Sequence, residues 1–386
     1  MLAPERREVR EAAREFAEGE IAPCAAAWDR EQAFDRGVLD RLAELGFLGM
    51  RVPEEYGGLG FDLESYVAVL EEIARADLGV ALTVAVQNGP VPHLILAHGS
   101  EAQRASWLPM LASGEKIAAF ALAEAEAGSD PGALLTRAER TPGGAWRLDG
   151  SKRWVTNGSL ADLAVVFART SPPGESPGVG AFLVDTNAKG YRVAGREKTM
   201  GLRASETVAV ELAGVRVGED RLVGDAGSGL GYALEAVDVG RLGVAAQAVG
   251  VAQAALEHAV RYSRERRQFG RRIADFGAIR SKLATMATRV AASRALVAGV
   301  AAALGQSGTQ TRDGLTVAAS SAMAKLSASE TAMWVTEEAV RIFGGYGFMR
   351  EFPVEKLMRD AKGTEIFGGT SEIMRLVVGR ALTGVG

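Results

Sequence analysis

Residues 145–158, AWRLDGSKRWVTNG, change the rhythm of the chain. Trp, Val and Thr crowd a short run punctuated by Gly, Asp and Asn, the composition of a strand rather than a helix. LAVVFART (163–170), VGAFLVDT (179–186) and TVAVELAGVRV (207–217) repeat that composition, with turn-forming residues between them. Trp154 and Thr156 stand two residues apart, which on a regular strand puts both on one face. Residues 117–226 are therefore expected to form a small antiparallel β domain, a barrel or sandwich of roughly seven strands. TSPPGESPG (170–178) reads as an exposed loop within it.

On either side the period is helical. Upstream, PERREVREAAREFAEGEIAP opens with Pro4 in a first-turn position and spaces Val9, Ala12, Ala13 and Phe16 at helical intervals. DRGVLDRLAELGFLGM repeats this with Leu39, Leu42, Leu45 and Phe47, and LESYVAVLEEIARAD follows after the glycine-rich loop VPEEYGGLGFD. Residues 1–116 are expected to be an α-helical domain. Downstream, alanine-rich helices are expected near 230–266, 273–306, 310–343 and 370–383, interrupted by RRQFGRRIADF and GGYGFMREFP. Their apolar stripes predict a four-helix bundle over 227–386. The fold class is α+β: helical domain, β domain, helical bundle.

Composition narrows the function. The chain has 386 residues, too many for one simple core, and 44 basic against 48 acidic residues leave no basic excess for nucleic acid. A single cysteine, Cys24, rules out an internal disulfide and a cysteine-based metal cluster. His93, His98 and His258 follow no metal-binding spacing, so no metal is expected. The N-terminus, charged from its fifth residue, does not read as a leader, and the apolar stretch near 295–304 is too short to span a bilayer. A cytoplasmic protein without membrane contact is expected.

No GxGxxG after a strand, phosphate loop or nucleophile elbow occurs. ALAEAEAGSDPGAL places Gly128, Ser129 and Asp130 after a strand, where small residues let a ligand approach; alone, this is also a plain turn. Trp154 offers a stacking face, or else belongs to a core. RERRQFGRRIADF crowds five arginines together, a fork for a pyrophosphate or simply a solvated face. GTEIFGGTSEIMRL (363–376) sets Gly368 and Gly369 just before a helix start at Thr370. Two glycines there mean a tight turn, a close approach, or a side chain that is missing.

Taken together, VPEEYGGLG, LAEAEAGSD, GSKRWVTNG, MGLRASET, RRQFGRRIADFGAI, IFGGYGF, PVEKLMRDAK and GGTSEI resemble the acyl-CoA dehydrogenase family of flavoproteins, in that family's order and over nearly the whole chain. The resemblance implies FAD held between the β domain and the bundle and completed by a second subunit of a homotetramer. It implies an acyl-CoA thioester as substrate and an electron-transferring flavoprotein as acceptor. By matching position, Leu122, Ala123 and Ser129 would touch the flavin and pyrophosphate, and Trp154 and Thr156 would flank the isoalloxazine ring. Arg266, Gln268, Phe269 and Ile273 would reach a neighbouring subunit's FAD, with Gly345 near its adenosine part, and Thr370 and Glu372 would cap the site. Leu230, Asp238 and Arg241 would line the CoA channel, beside Ser129 and Gly369.

Three positions depart from the family pattern. Ala123 replaces a threonine, and Arg341, which could contact phosphate itself, replaces a frequent glutamine. The third is Gly368, where the resemblance implies the glutamate that removes the α-proton; the alternative family location, just before Arg241, is Gly240. Gly368 keeps the backbone N–H that would polarise the thioester carbonyl. Glu365, three residues before Gly368, and Glu235, five before Gly240, are nearby candidate substitutes. Three readings stay open: a dehydrogenase with a relocated or replaced base, a flavoenzyme of this fold running another elimination such as desulfination, and a non-catalytic flavin or acyl-CoA binding protein.

Overall fold

Side-chain caps fix where the helices start. Asp62 accepts from the Ser65 N–H at 2.7 Å and Asp77 from the Val80 N–H at 2.9 Å, while Ser100 and Gln103 form a reciprocal capping box. The computed structural model describes residues 4–171, 178–307 and 315–384. Seven helices come first: α1 (Pro4–Phe16), α2 (Ala25–Glu31), α3 (Gly37–Glu44), α4 (Leu63–Ala76), α5 (Leu78–Asn88), α6 (Pro90–His98) and α7 (Glu101–Ala112).

The middle region is one sheet of eight strands: β1 (Ala118–Ala121), β2 (Arg137–Arg140), β3 (Trp146–Thr156), β4 (Leu163–Arg169), β5 (Val179–Asp185), β6 (Tyr191–Arg196), β7 (Thr207–Val217) and β8 (Leu222–Val223). It is not purely antiparallel as expected: β1 runs parallel to β4, pairing Ala118 with Leu163. Alternation along β4 serves two cores. Leu163, Val165 and Phe167 pack with Leu94 and Leu108 of α6 and α7, whereas Ala164, Val166 and Ala168 pack with Val208 and Val210 of β7. The bulk of the expected loop, residues 172–177, lies outside the described residues.

The chain then returns to helix: α8 (Gly229–Glu265), α9 (Gly277–Ser307), α10 (Val317–Phe343), α11 (Pro353–Thr364) and α12 (Ser371–Thr383). The hairpin β9 (Arg267–Gln268) and β10 (Arg271–Arg272) separates α8 from α9. Helix α11 is additional to the four expected; Pro353 at its first position starts it after the glycine-rich break. The helical regions at the two ends of the chain share one core, in which Val69, Leu70 and Ile73 of α4 meet Leu242, Ala245 and Val249 of α8. The approach is close: a Cβ on Gly250 would lie 2.3 Å from the Glu71 carbonyl oxygen. Lys356, largely covered on α11, binds the buried Asp77 at 2.8 Å and Asp360 at 2.7 Å. Asp360 in turn accepts from the Leu202 N–H at 2.6 Å, tying the loop after β6 to the bundle.

The expectation about apolar length is corrected. Three segments, 78–98, 229–265 and 277–305, are long and apolar enough to cross a membrane, but the first two are mostly packed inside the protein. Helix α9 is only one-third buried: Met286, Val290 and Val297 face the core, while its open face carries small residues such as Ala287, Ala291 and Ala295.

Candidate active site

One cavity of about 540 Å³ opens where α5, α6, the sheet, α8 and α11 meet, within the size range of small-molecule sites. Trp154 and Thr156 of β3 line it, together with Phe120, Met200, Gly201 and Leu202. The path by which β3 reaches the cavity differs from simple alternation. Its pairing with β7 shifts register between Lys152 and Val155, and Trp154 adopts φ 55°. A left-handed backbone at a bulky residue costs roughly 1–2 kcal/mol, and such strain collects at functional sites. Here it leaves an indole 52% exposed at a cavity wall, where a core tryptophan would be covered. Beside it, the Arg153 N–H donates to the Ala123 carbonyl at 2.9 Å, and buried Lys152 donates to the Leu122 carbonyl at 3.1 Å and to Glu124 at 2.7 Å. Burial pushes the Lys152 ammonium down to about 8, against the pull of Glu124.

Gly240 of α8 and Gly368 line the same cavity, with Val237, Val244, Gln247 and Phe367. The two glycines differ in kind. Gly240 is helical, and a Cβ there would have nothing nearer than Pro90 Cδ at 3.9 Å. Gly368 and Gly369 have φ 69° and 102°, so the paired glycines make a left-handed turn that side chains rarely adopt. Their carbonyls are held from beneath. Arg241 Nε donates to the Gly368 oxygen at 3.0 Å, and Lys325 Nζ to the Gly369 oxygen at 2.7 Å. Arg241 also pairs with Asp238, whose carboxyl burial pushes up. Thr370 caps α12, accepting from the Ile373 N–H at 3.3 Å.

The remaining candidates divide by location. Glu365 is held by Lys362 at 2.6 Å, and Glu235 bridges His93 and His98 at 3.0 and 2.9 Å; neither lines the cavity. Glu197 is the lone carboxylate among the described lining residues, and it is bound by Arg153 at 2.9 Å. Ser129 is exposed, and the half-buried Leu230 sits over Gly132. The hairpin tip carries Gln268 and Phe269, the latter 92% exposed, while Arg266 lies over the Tyr346 ring at 5.3 Å. Gly345 is exposed next to Tyr346, and Glu372 is exposed on the first turn of α12. Ile273 does not share the hairpin's exposure: it is buried in this chain's own core. Arg341 is taken up by Glu337 and Glu338. Leu82, Ala85, Val86 and Pro90 complete the apolar wall and were missed in the sequence, because α5 is buried on nearly every side and shows no distinctive stripe.

Profiles of the acyl-CoA dehydrogenase N-terminal, middle and C-terminal domains match residues 3–115, 119–215 and 227–383. The chain belongs to the acyl-CoA dehydrogenase family. It is 41% identical over 376 residues to an acyl-CoA dehydrogenase of Bacillus subtilis, covering 97% of each chain. Among solved structures it is similar to butyryl-CoA dehydrogenase from Megasphaera elsdenii, with TM-score 0.94 and 38% identity over 99% of both chains. A structure titled for the electron transferring flavoprotein of Acidaminococcus fermentans matches at TM-score 0.94 and 39% identity, again over 99% of both chains.

Acyl-CoA dehydrogenases use FAD, and the residues present fit it. The half-exposed Trp154 ring at the cavity wall is an uncovered stacking surface for a planar ring system. Ser129 and the hairpin arginines Arg267, Arg271 and Arg272 are exposed, groups of the kind that hold a pyrophosphate, though none of them lines the cavity of this chain. Ala123 keeps its backbone, though its carbonyl is already used by Arg153.

Proposed function

We propose that the protein is an FAD-dependent acyl-CoA dehydrogenase whose usual glutamate base is absent. The observation that carries this reading is the meeting of Trp154, Thr156 and the Gly368 turn at one cavity with an apolar wall. FAD, when bound, would supply the acceptor for the β-hydride of the thioester. Trp154 and Thr156 would hold the ring system, and Leu82, Ala85, Val86 and Val244 would bury the acyl group and exclude water. The unpaired N–H groups of Gly368 and Gly369 supply hydrogen bonds for the thioester carbonyl. No carboxylate stands at residue 368 or 240, so the chain lacks the positioned base that usually contributes ~10²–10⁴ in rate.

Phe269, Phe348 and the open face of α9 support a homotetramer in which the hairpin serves a neighbour's cofactor site. An electron-transferring flavoprotein is the proposed acceptor, and the cytoplasm the proposed compartment. A second reading rests on Glu197 being tied to Arg153: the same cavity suits an elimination that needs no α-proton base, such as loss of a sulfinate from an acyl-CoA. Anaerobic titration with a panel of acyl-CoA thioesters separates them. Bleaching of the flavin supports dehydrogenation. A flavin that stays oxidised while thioesters bind turns the assignment to the second reading.

A further inference from the structure

Lys325 lies in the middle of α10, has no exposed surface, and makes no ion pair among the described residues. An ammonium in such a place is costly unless it holds something. What it holds is the Gly369 carbonyl, at 2.7 Å. On the adjoining peptide, Arg241 holds the Gly368 carbonyl at 3.0 Å. Two buried cations on two helices thus draw in successive carbonyls of one left-handed turn. In a planar trans peptide the N–H points opposite to the C=O, so drawing in the Gly368 oxygen turns the Gly369 N–H away from Arg241. Neither the Gly368 nor the Gly369 N–H has a hydrogen-bond partner among the described residues. Successive free N–H groups at a turn of this kind form a concavity for negative oxygen.

We propose that Lys325 is a positioning residue for the thioester: its ammonium, on the Gly369 carbonyl, fixes the Gly368–Gly369 turn in place, so that the free Gly368 and Gly369 N–H groups bind a carbonyl better as it gains enolate character. The inference rests on the acyl-CoA reading above. Arg241, on the Gly368 carbonyl, pulls electron density along that peptide and strengthens the Gly369 N–H as a donor, while Lys325, on the next peptide, whose N–H belongs to Thr370, holds the turn so that this N–H keeps its aim. Burial and the nearby Arg241 charge push the Lys325 ammonium down to about 8, which keeps it a donor at neutral pH.

The test uses the FAD-loaded protein and its Lys325→Met and Lys325→Gln variants. Two ligands are titrated: a saturated acyl-CoA, and a 3-ketoacyl-CoA whose bound enolate reports itself by a long-wavelength absorbance band. In Lys325→Met the FAD content and the saturated ligand's Kd should stay within a few-fold of the parent. The Kd of the enolate-forming ligand should rise ~10-fold or more, the scale of a lost hydrogen bond to a charged group. Isotope-edited infrared spectra should show the bound thioester C=O stretch moving back toward its value in solution. Lys325→Gln, which keeps a donor without the charge, should fall between, and it carries the test if the Met variant does not fold. Equal losses for both ligands, or an unchanged enolate Kd in both variants, overturn the role. If the parent binds neither thioester, the acyl-CoA reading itself fails, and the inference with it.

Discussion

Arg241 Nε reaches the Gly368 carbonyl oxygen at 3.0 Å, joining two residues 127 positions apart. Gly240, next to Arg241, and Gly368 itself line the same cavity. The two places that the family resemblance assigns to a glutamate base are therefore neighbours across one contact, and neither carries a carboxylate.

Restoring a base should work better from the helix than from the turn. Gly240→Glu places a side chain on a regular helix with open space before it, and there Gly costs ~1 kcal/mol against better helix formers. Gly368→Glu must hold φ near 69°, at a cost of roughly 1–2 kcal/mol. Stopped-flow flavin reduction by a saturated acyl-CoA should rise at least ~10²-fold in Gly240→Glu, with no loss of thermal stability. Parent protein that already reduces its flavin at the rescued rate would point to a base elsewhere, with Glu197→Gln the next variant to measure.

Trp154 separates stability from cofactor retention. Its φ of 55° suits glycine better than tryptophan. Trp154→Gly should unfold at the same temperature or higher as the apoprotein, while losing FAD more readily on gel filtration. Retention equal to the parent would remove Trp154 from the flavin wall.

Lys325 links the turn to pH. Its folded-state value of about 8 lies below the ordinary 10.5, so the unfolded chain binds the proton more tightly between those values. Stability from this group is therefore lowest below about 8 and rises with pH toward 10.5. Arg241 of α8, Glu365 after α11, Glu372 of α12 and Glu330 of α10 act on the same ammonium. Lys325→Met should flatten that rise in denaturant titrations across the range. An unchanged slope would show that another group is responsible.

Gln247 marks the polarity of the acyl wall. It lines the cavity, and its Oε1 is buried with no partner, while its Nε2 donates to the Gly243 carbonyl at 3.2 Å. An unmet buried acceptor costs roughly 1–3 kcal/mol, so Gln247→Leu should be neutral or stabilising. It should also tighten binding of apolar acyl groups relative to hydroxylated or keto-substituted ones. The opposite order in a competition titration would show that the amide does not face the acyl chain.

The order of helical region, sheet and bundle was legible because hydrophobic period changes sharply near 117 and 227. The candidate cofactor and turn residues were legible for another reason: they lie in short stretches whose order along the chain is itself distinctive. Local patterns could not show parallel β1 on β4, since strand direction is set by long-range packing. They could not show α11, a short helix hidden behind a glycine-rich break. They also predicted Trp154 and Thr156 on one face by simple alternation, whereas a bulge brings both to the cavity. Sequence placed Ile273 with the exposed hairpin; packing drew it into the core. The residues alone determined that positions 368 and 240 carry no carboxylate. Only the tertiary structure decided what stands there instead: a turn whose carbonyls are gripped by Arg241 and Lys325, from helices that meet it because α8 and α10 bury their small-residue faces against each other.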